Sequence, residues 1–228
     1  MQYRKYNKIC MICFMIGLLL VIMTIVYIDP CFHYHSPLQG ISYILNDERY
    51  QNNGIVRNFD YDAIIIGTSM TQNFKTSEMD HVFDVHSIKV PYSGAYFKEI
   101  NDSIVIALEN NPNIKLVLRS LDLYSIYVDK DTEVIQQGYV YPYFMNDNNP
   151  FNDVAYVLNK EWLLRGLDNV LYTREGGIST SFDEYANWND AFQFGSEAVL
   201  QTYQRDEKVD YIVHLTDENK MLIVDNIT

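Results

Sequence analysis

The hydrophobic pattern begins with one long run: the twenty residues from Ile9 to Ile28 carry no charge. About twenty apolar residues are enough to cross a ~30 Å hydrocarbon core, so we predict a transmembrane helix over residues 9–28. Arg4, Lys5 and Lys8 precede this run and Asp29 follows it. Because positive charge favours the cytoplasmic side, residues 1–8 are predicted to form a cytoplasmic tail and the main domain to be extracytoplasmic.

A cleaved signal peptide shares this layout and is the main alternative. The run ends in Val26-Tyr27-Ile28-Asp29-Pro30, which lacks the small residues that signal peptidase requires. The pattern therefore favours an uncleaved anchor in a single-pass plasma-membrane protein, and its partner is the lipid bilayer through residues 9–28.

After the span, the pattern changes to strand-like and helix-like segments that alternate. Strands are predicted at 63–66, 87–90 and 114–118, with one helix after Ser77 as its N-cap and another over about 95–110. A β-α-β-α-β succession folds into a parallel sheet with helices on both faces. The expected fold class is α/β, a three-layer doubly wound parallel sheet preceded by one transmembrane helix.

The remaining segments define the predicted domain organisation. Residues 29–58 are polar and contain proline and glycine, which indicates an irregular juxtamembrane spacer. An α/β domain is expected over 59–228, with an insertion at about 123–190 that includes a helix from Asn152 to Leu171. Three strands are few for a doubly wound sheet, so this domain is expected to be incomplete at its C-terminus.

Charge excludes one class of partner. The chain has 17 basic and 30 acidic residues, and three of the basic ones precede the span. The exported part therefore has 14 basic and 30 acidic residues, a formal charge of −16. Such a surface repels phosphate backbones, so nucleic acid is not an expected partner.

Cysteine and histidine spacing favours structural roles over metal chemistry. Cys10 and Cys13 lie within the predicted span, and Cys31 is the only thiol beyond it, open to an intermolecular disulfide. His33 and His35 would share one side of an extended segment, but a third ligand is not evident nearby. We therefore predict no metal and no cofactor.

Candidate chemistry follows the predicted strands, because parallel sheets bind ligands at the carboxyl ends of their strands. Ser69 follows the first strand as a candidate nucleophile, and Gly94 follows the second as a backbone N–H donor for an oxyanion. Arg119 and Asp122 follow the third strand, either as orienting groups or as an ion pair that closes the sheet edge. A turn serine whose hydroxyl caps the next segment is the alternative reading of Ser69.

Gly67-Thr68-Ser69 after one strand and Ser93-Gly94 after the next resemble the first two blocks of the SGNH/GDSL hydrolase superfamily. With the span, the segment Asp29 to Tyr34 and the later Tyr185-Ala186-Asn187-Trp188, the chain is similar to membrane-anchored SGNH-like envelope proteins of Gram-positive gut bacteria. This resemblance implies a three-layer α/β/α sandwich and ester hydrolysis or acyl transfer. It also implies Ser69 as nucleophile and oxyanion donor, with Gly94 as the second donor.

The chain departs from the family pattern in three places. Thr68 stands where the family usually has Asp, and the third strand end, from Arg119 to Asp122, lacks the family's oxyanion Asn. The family's Asp-x-x-His block, which supplies the general base, has no match here. His81 and His86 are predicted at the opposite sheet edge, and His214 is predicted to be structural.

The sequence therefore leaves three functions open. The first is a membrane-anchored SGNH-like esterase or O-acyltransferase that acts on acyl groups of cell-envelope glycans or exopolysaccharide. The second is a non-catalytic, truncated or degenerate, envelope protein. The third is a glycan-binding module, suggested by the aromatic residues within 139–144.

Overall fold

The structure is a computed structural model that describes residues 2–122, 128, 132, 142–147, 149–176 and 182–183. The chain divides into two compact units. The helical unit comprises residues 1–60 and 141–180, and the sheet unit comprises residues 61–140 and 181–228.

The sheet unit contains a three-stranded parallel sheet. Strands β1 (Ala63–Gly67), β2 (Ser87–Pro91) and β3 (Leu116–Arg119) have the order β2-β1-β3. Ala63 is in register with Ser87 on one side and with Leu116 on the other. The predicted α/β class with parallel strands is confirmed, and all three predicted strands are present.

Two helices connect these strands: α3 (Thr76–Phe83) and α4 (Phe97–Asn110). Met79 of α3 packs with Ala63 and Ile65 on one face of the sheet, and α4 also contacts β1. Every residue of β1 is buried. The sequence Ala-Ile-Ile-Ile therefore lacks polar alternation because β1 is the central strand of the described sheet.

The start of α3 differs from the prediction that Ser77 would be its N-cap. Lys75 occupies that position, and the carboxylate of Asp183 caps the helix instead. This carboxylate accepts hydrogen bonds from the Ser77 amide at 2.9 Å and from the hydroxyls of Thr76 and Ser77 at 3.0 and 2.8 Å. Burial raises the pKa of Asp183, but these hydrogen bonds and the charge of Lys89 together outweigh it, so the net shift of the pKa is downward.

In the helical unit, α1 (Gln2–Ile28) is long and apolar enough to cross a membrane, and most of it is exposed. Only its last turns enter a core. Ile25 packs in a cluster of buried residues. The other members are Cys31, Met145, Tyr156, Val157 and Trp162.

The chain leaves α1 at Asp29, whose backbone is left-handed with φ 47°. The buried Asp29 carboxylate accepts hydrogen bonds from the amides of His33, Tyr34 and His35 at 2.7–3.0 Å, and from the Tyr156 hydroxyl at 2.8 Å. Burial raises the pKa of Asp29, while these four donors oppose the shift. A single carboxylate therefore organises the backbone that follows α1.

A helix, α2 (Glu48–Asn58), lies in the segment that was expected to be irregular. Its buried residues include Gln51, Asn52 and Asn53. The side-chain oxygen of Gln51 accepts hydrogen bonds from the backbone amides of Asn46 and Asp47. Its side-chain nitrogen donates to the backbone carbonyls of Pro30 and Ile44. The helix was missed because its inner face is polar and binds backbone groups.

The single helix predicted from Asn152 to Leu171 is two helices in the structure, α5 (Val154–Val157) and α6 (Lys160–Arg174). Asn159 separates them, because its side chain accepts a hydrogen bond from the Glu161 amide and caps α6. The part of the predicted insertion in this region belongs to the helical unit.

Cys31 is fully buried in the helical core. Burial and the nearby Asp29 carboxylate raise the pKa of its thiol well above the usual range. The Cys31 thiol is therefore not accessible on the surface of the folded helical unit, and the structure gives no support to an intermolecular disulfide at this residue.

Candidate functional site

The three parallel strands end at one edge of the sheet, and three short segments leave them there. These segments are 68–69 after β1, 92–94 after β2 and 120–122 after β3. The hydrogen bonding between strands continues one residue past β2 and β3. The backbone amide of Tyr92 donates to the Gly67 carbonyl at 2.8 Å, and the backbone amide of Ser120 donates to the Ile66 carbonyl at 2.9 Å. The exits are therefore direct neighbours.

The exits of β1 and β3 are held together by Asp122. Its Oδ2 accepts a hydrogen bond from the Thr68 hydroxyl at 2.5 Å and one from the Ser120 hydroxyl at 3.2 Å. A Cβ at Gly67 would overlap the Ser120 hydroxyl, so glycine permits this close approach. Asp122, which was a weak candidate from sequence, acts here as the acceptor that fixes Thr68.

Ser69 is the first residue of a 3₁₀ helix, Ser69–Asn73, that starts at the exit of the central strand. Thr71 anchors this helix, since its amide and hydroxyl donate to the Thr68 carbonyl at 3.0 and 2.7 Å. The Ser69 side chain is half-buried. Ser69 therefore follows the carboxyl end of the central strand directly, on a backbone segment that Thr68 and Thr71 hold in place.

The exit of β2 forms a tight turn beside this 3₁₀ helix. Ala95 donates to the Tyr92 carbonyl at 3.1 Å, and Gly94 occupies the turn with φ 65°. This conformation favours glycine, and the Gly94 amide is not the group that closes the turn. The Gln72 side chain donates to the Ser93 hydroxyl at 3.0 Å, which joins the turn to the 3₁₀ helix that carries Ser69.

The sequence left open an ion pair between Arg119 and Asp122, but in the structure the Arg119 side chain packs elsewhere. Its guanidinium lies over the ring of Phe97, 4.2 Å from the centroid, at the start of α4. Burial lowers the pKa of Arg119. The arginine therefore packs against α4, while the Asp122 carboxylate binds Thr68 and Ser120.

The described histidines of the sheet unit, His81 and His86, do not lie at the strand-exit edge. The His86 carbonyl accepts from the Asp62 and Ala63 amides at the start of β1, which is the opposite end of the sheet. The His86 ring is exposed and lies 3.8 Å from Asp80, and His81 is exposed on α3. The placement predicted for both residues agrees with the structure, whereas His214 lies outside the described residues.

Two other sequence hypotheses involve the helical unit. His33 Nε2 lies 3.2 Å from Asp153, and the His35 ring bonds to the carbonyls of Ser36 and Val26, so the two rings have separate partners. Among the described residues, no three His, Cys, Asp or Glu side chains are grouped to hold a metal ion. Of the aromatic cluster, Phe144 packs on the core and Tyr143 is exposed, while residues 139–141 lie outside the described residues.

Sequence reasoning missed the supporting polar groups at the sheet edge, which are Gln72, Ser93 and Ser120. A signal was present, because Ser93 and Ser120 each follow a strand end. The pairing of Gln72 with Ser93 could not be assigned, since it joins the exits of two strands at a separation of 21 residues, whereas Ser120 bonds Asp122 within its own exit.

Comparisons with known protein families, with curated proteins and with solved structures found no match to this chain.

Proposed function

We propose that this chain is a membrane-anchored, extracytoplasmic SGNH-like protein that transfers or hydrolyses acyl esters through Ser69. The observation that supports this most is the hydrogen-bonded strand-exit edge, on which Asp122 and Gln72 link the segment carrying Ser69 to both neighbouring exits. Such fixed positioning is what a serine nucleophile and its oxyanion donors require. A three-layer SGNH fold is part of the same proposal.

In the proposed reaction, Ser69 Oγ attacks the acyl carbonyl and its proton passes to a general base. The amides of Ser69 and Gly94 hold the developing oxyanion, the ester C–O bond breaks, the alcohol leaves with the proton returned by the general base, and the acyl group remains on Ser69. Water completes hydrolysis, or a second hydroxyl accepts the acyl group. Acylated envelope glycans and exopolysaccharide are the proposed substrates, because α1 would hold the domain at the cell surface.

The topology in this proposal follows the charges around α1. Arg4, Lys5 and Lys8 stand at one end of the helix and Asp29 at the other. The positive-inside rule therefore assigns the N-terminus to the cytoplasm and both units to the outer face. A membrane-impermeant protease added to intact cells is expected to degrade the part of the chain that follows residue 28. In inside-out vesicles the same part of the chain is expected to be protected.

The nucleophile is tested with a fluorophosphonate probe on the full chain in detergent. Labelling is expected for the parent protein and is expected to disappear in Ser69→Ala. The control is Ser36→Ala, which removes an exposed serine hydroxyl in the helical unit and is expected to retain labelling. Equal labelling of Ser69→Ala and the parent protein would refute the assignment.

A second candidate, a non-catalytic envelope protein, is favoured by one observation. The described histidines of the sheet unit, His81 and His86, are not at the strand-exit edge, and a serine without a base is a weak nucleophile. Failure of the parent protein to react with the probe or to release acetate from acetylated polysaccharide would support this candidate.

A further inference from the structure

Helix α6 has two different faces. Trp162, Gly166 and Asn169 are buried in the helical unit. Leu164, Leu167 and Leu171 are 47%, 41% and 52% exposed. These leucines are three and four residues apart and therefore form one stripe along the helix, which we name the leucine face.

Charges are arranged around the leucine face in a regular way. Lys160 lies four residues before Leu164 and Arg174 lies three residues after Leu171, so each end of the stripe has a cation beside it. The exposed acidic residues Glu161, Asp168 and Glu175 lie three or four residues from Leu164 or Leu171 and border the stripe along one side. An exposed apolar stripe on an otherwise polar helix is typical of helices that lie in a membrane interface.

The position of α6 relative to α1 supports the same partner. α1 contacts α6, and Gly166 of α6 faces the side chain of Ile28, the last residue of the uncharged run 9–28. A span of about twenty residues fills the ~30 Å hydrocarbon core, so Ile28 lies at or near the boundary with the headgroups. A helix that packs on Ile28 is therefore held at the membrane surface.

From this continuity we infer that the leucine face of α6 inserts into the outer leaflet beside α1, with Lys160 and Arg174 reaching the phosphates of anionic lipids. The partner is the lipid bilayer that α1 spans. The inference deepens the proposed membrane anchorage: the helical unit rests on the membrane and is not suspended above it on a flexible spacer. It does not depend on the catalytic role of Ser69.

The test uses the full chain in phosphatidylcholine–phosphatidylglycerol vesicles, with Cys10→Ser and Cys13→Ser as background and the buried Cys31 retained. A fluorescent bimane is attached at Leu167→Cys or, as the matched control, at the next residue in Asp168→Cys. A third label at Leu19→Cys reports on the middle of α1. Quenching is measured with lipids that carry a nitroxide near the headgroup or in mid-chain, and with aqueous iodide.

The label at 167 is expected to be quenched severalfold more by the shallow nitroxide lipid than the label at 168, and iodide is expected to show the reverse order. Equal iodide quenching at 167 and 168, with the label at 19 quenched by mid-chain nitroxide, would overturn the leucine-face inference and leave the span intact. Iodide quenching at 19 would instead refute the span itself, and the inference with it. Loss of the preference for 167 in Lys160→Glu/Arg174→Glu would show that the cations contribute.

Discussion

The two units of this chain are held together by different interactions. The sheet unit is built on β1, whose Ile64, Ile65 and Ile66 are buried between the flanking strands and the helices. The helical unit depends on buried polar side chains that bind backbone groups, chiefly Asp29 and Gln51. Apolar burial tolerates small changes of shape, whereas a buried hydrogen-bond acceptor cannot be removed without leaving its donors unsatisfied. The helical unit is therefore expected to be the more sensitive of the two.

The largest effect is expected for Gly54→Ala in the helical unit, and the same glycine-to-alanine change at Gly67 in the sheet unit provides the comparison. At Gly54 a Cβ would overlap the backbone carbonyls of Cys31 and Phe32, which cannot move without disturbing the loop after α1. At Gly67 it would overlap the side chains of Ser120 and Thr71, with no backbone atom among its three closest neighbours. Gly54→Ala is expected to unfold the helical unit, and Gly67→Ala to disturb only the strand-exit edge.

Hydrogen exchange read by mass spectrometry separates these outcomes, with peptides from 29–58 reporting on one unit and peptides from 61–75 on the other. Ser120→Gly in the Gly67→Ala background is expected to restore part of the protection at the edge, because it removes the closest overlap but leaves the Thr71 methyl 2.7 Å from the added Cβ. If Gly54→Ala kept full protection over 29–58, the close packing of α2 on the 31–32 backbone would be disproved.

The next largest effect is expected for Asp29→Ala. Three backbone amides and the Tyr156 hydroxyl would lose their acceptor in a buried site. At ~1–3 kcal/mol for each unsatisfied buried donor, the free energy of unfolding should fall by about 4 kcal/mol or more.

Asp29→Asn is the matched variant, because it keeps one acceptor oxygen and is expected to lose less than Asp29→Ala. The measurement is urea unfolding of the full chain in detergent, followed by Trp162 fluorescence in a Trp188→Phe background. Equal midpoints for the parent protein and Asp29→Ala would contradict the role of this carboxylate.

The same contrast explains how much of the fold could be predicted from sequence. β1, β2 and α4 follow from local pattern, because runs such as Ala63 to Ile66 and the spacing of Ile100 and Ala107 reflect burial directly. Helix α2 could not be predicted, since Gln51, Asn52 and Asn53 give its inner face the appearance of a loop. Its stability comes from partners such as Pro30 and Met145, which local pattern does not identify.

The candidate site shows the same limit. Ser69 and Gly94 were located at strand exits because Gly67 and Pro91 mark where the strands end. The partner of Thr68 was not predictable, since its hydroxyl meets a carboxylate 54 residues away in the chain. Asp183 as the cap of α3 was hidden for the same reason, at a separation of 106 residues from Ser77.

A smaller effect is expected in the sheet unit for Ile65→Val. Removing one buried methyl group from a packed strand costs about 0.5–1.5 kcal/mol. Hydrogen exchange of the β1 amides should show this as faster exchange, while peptides from the helical unit remain unchanged. Faster exchange in both units would mean that the two units unfold together.

The smallest effect is expected for Lys115→Gln, which removes the exposed ion pair between Lys115 Nζ and Asp62 Oδ2 at 2.6 Å. The hydrogen bond from Lys115, together with the His86 amide, lowers the pKa of Asp62 below its ordinary value. A carboxyl group whose pKa is lower when folded stabilises the protein above its unfolded pKa of ~3.9, and this contribution disappears as the pH falls through the folded pKa. The urea midpoints of Lys115→Gln and the parent protein should therefore differ slightly at neutral pH and low salt, and coincide in acid or in high salt. A loss larger than that of Ile65→Val would show that charge, and not apolar burial, dominates the sheet unit.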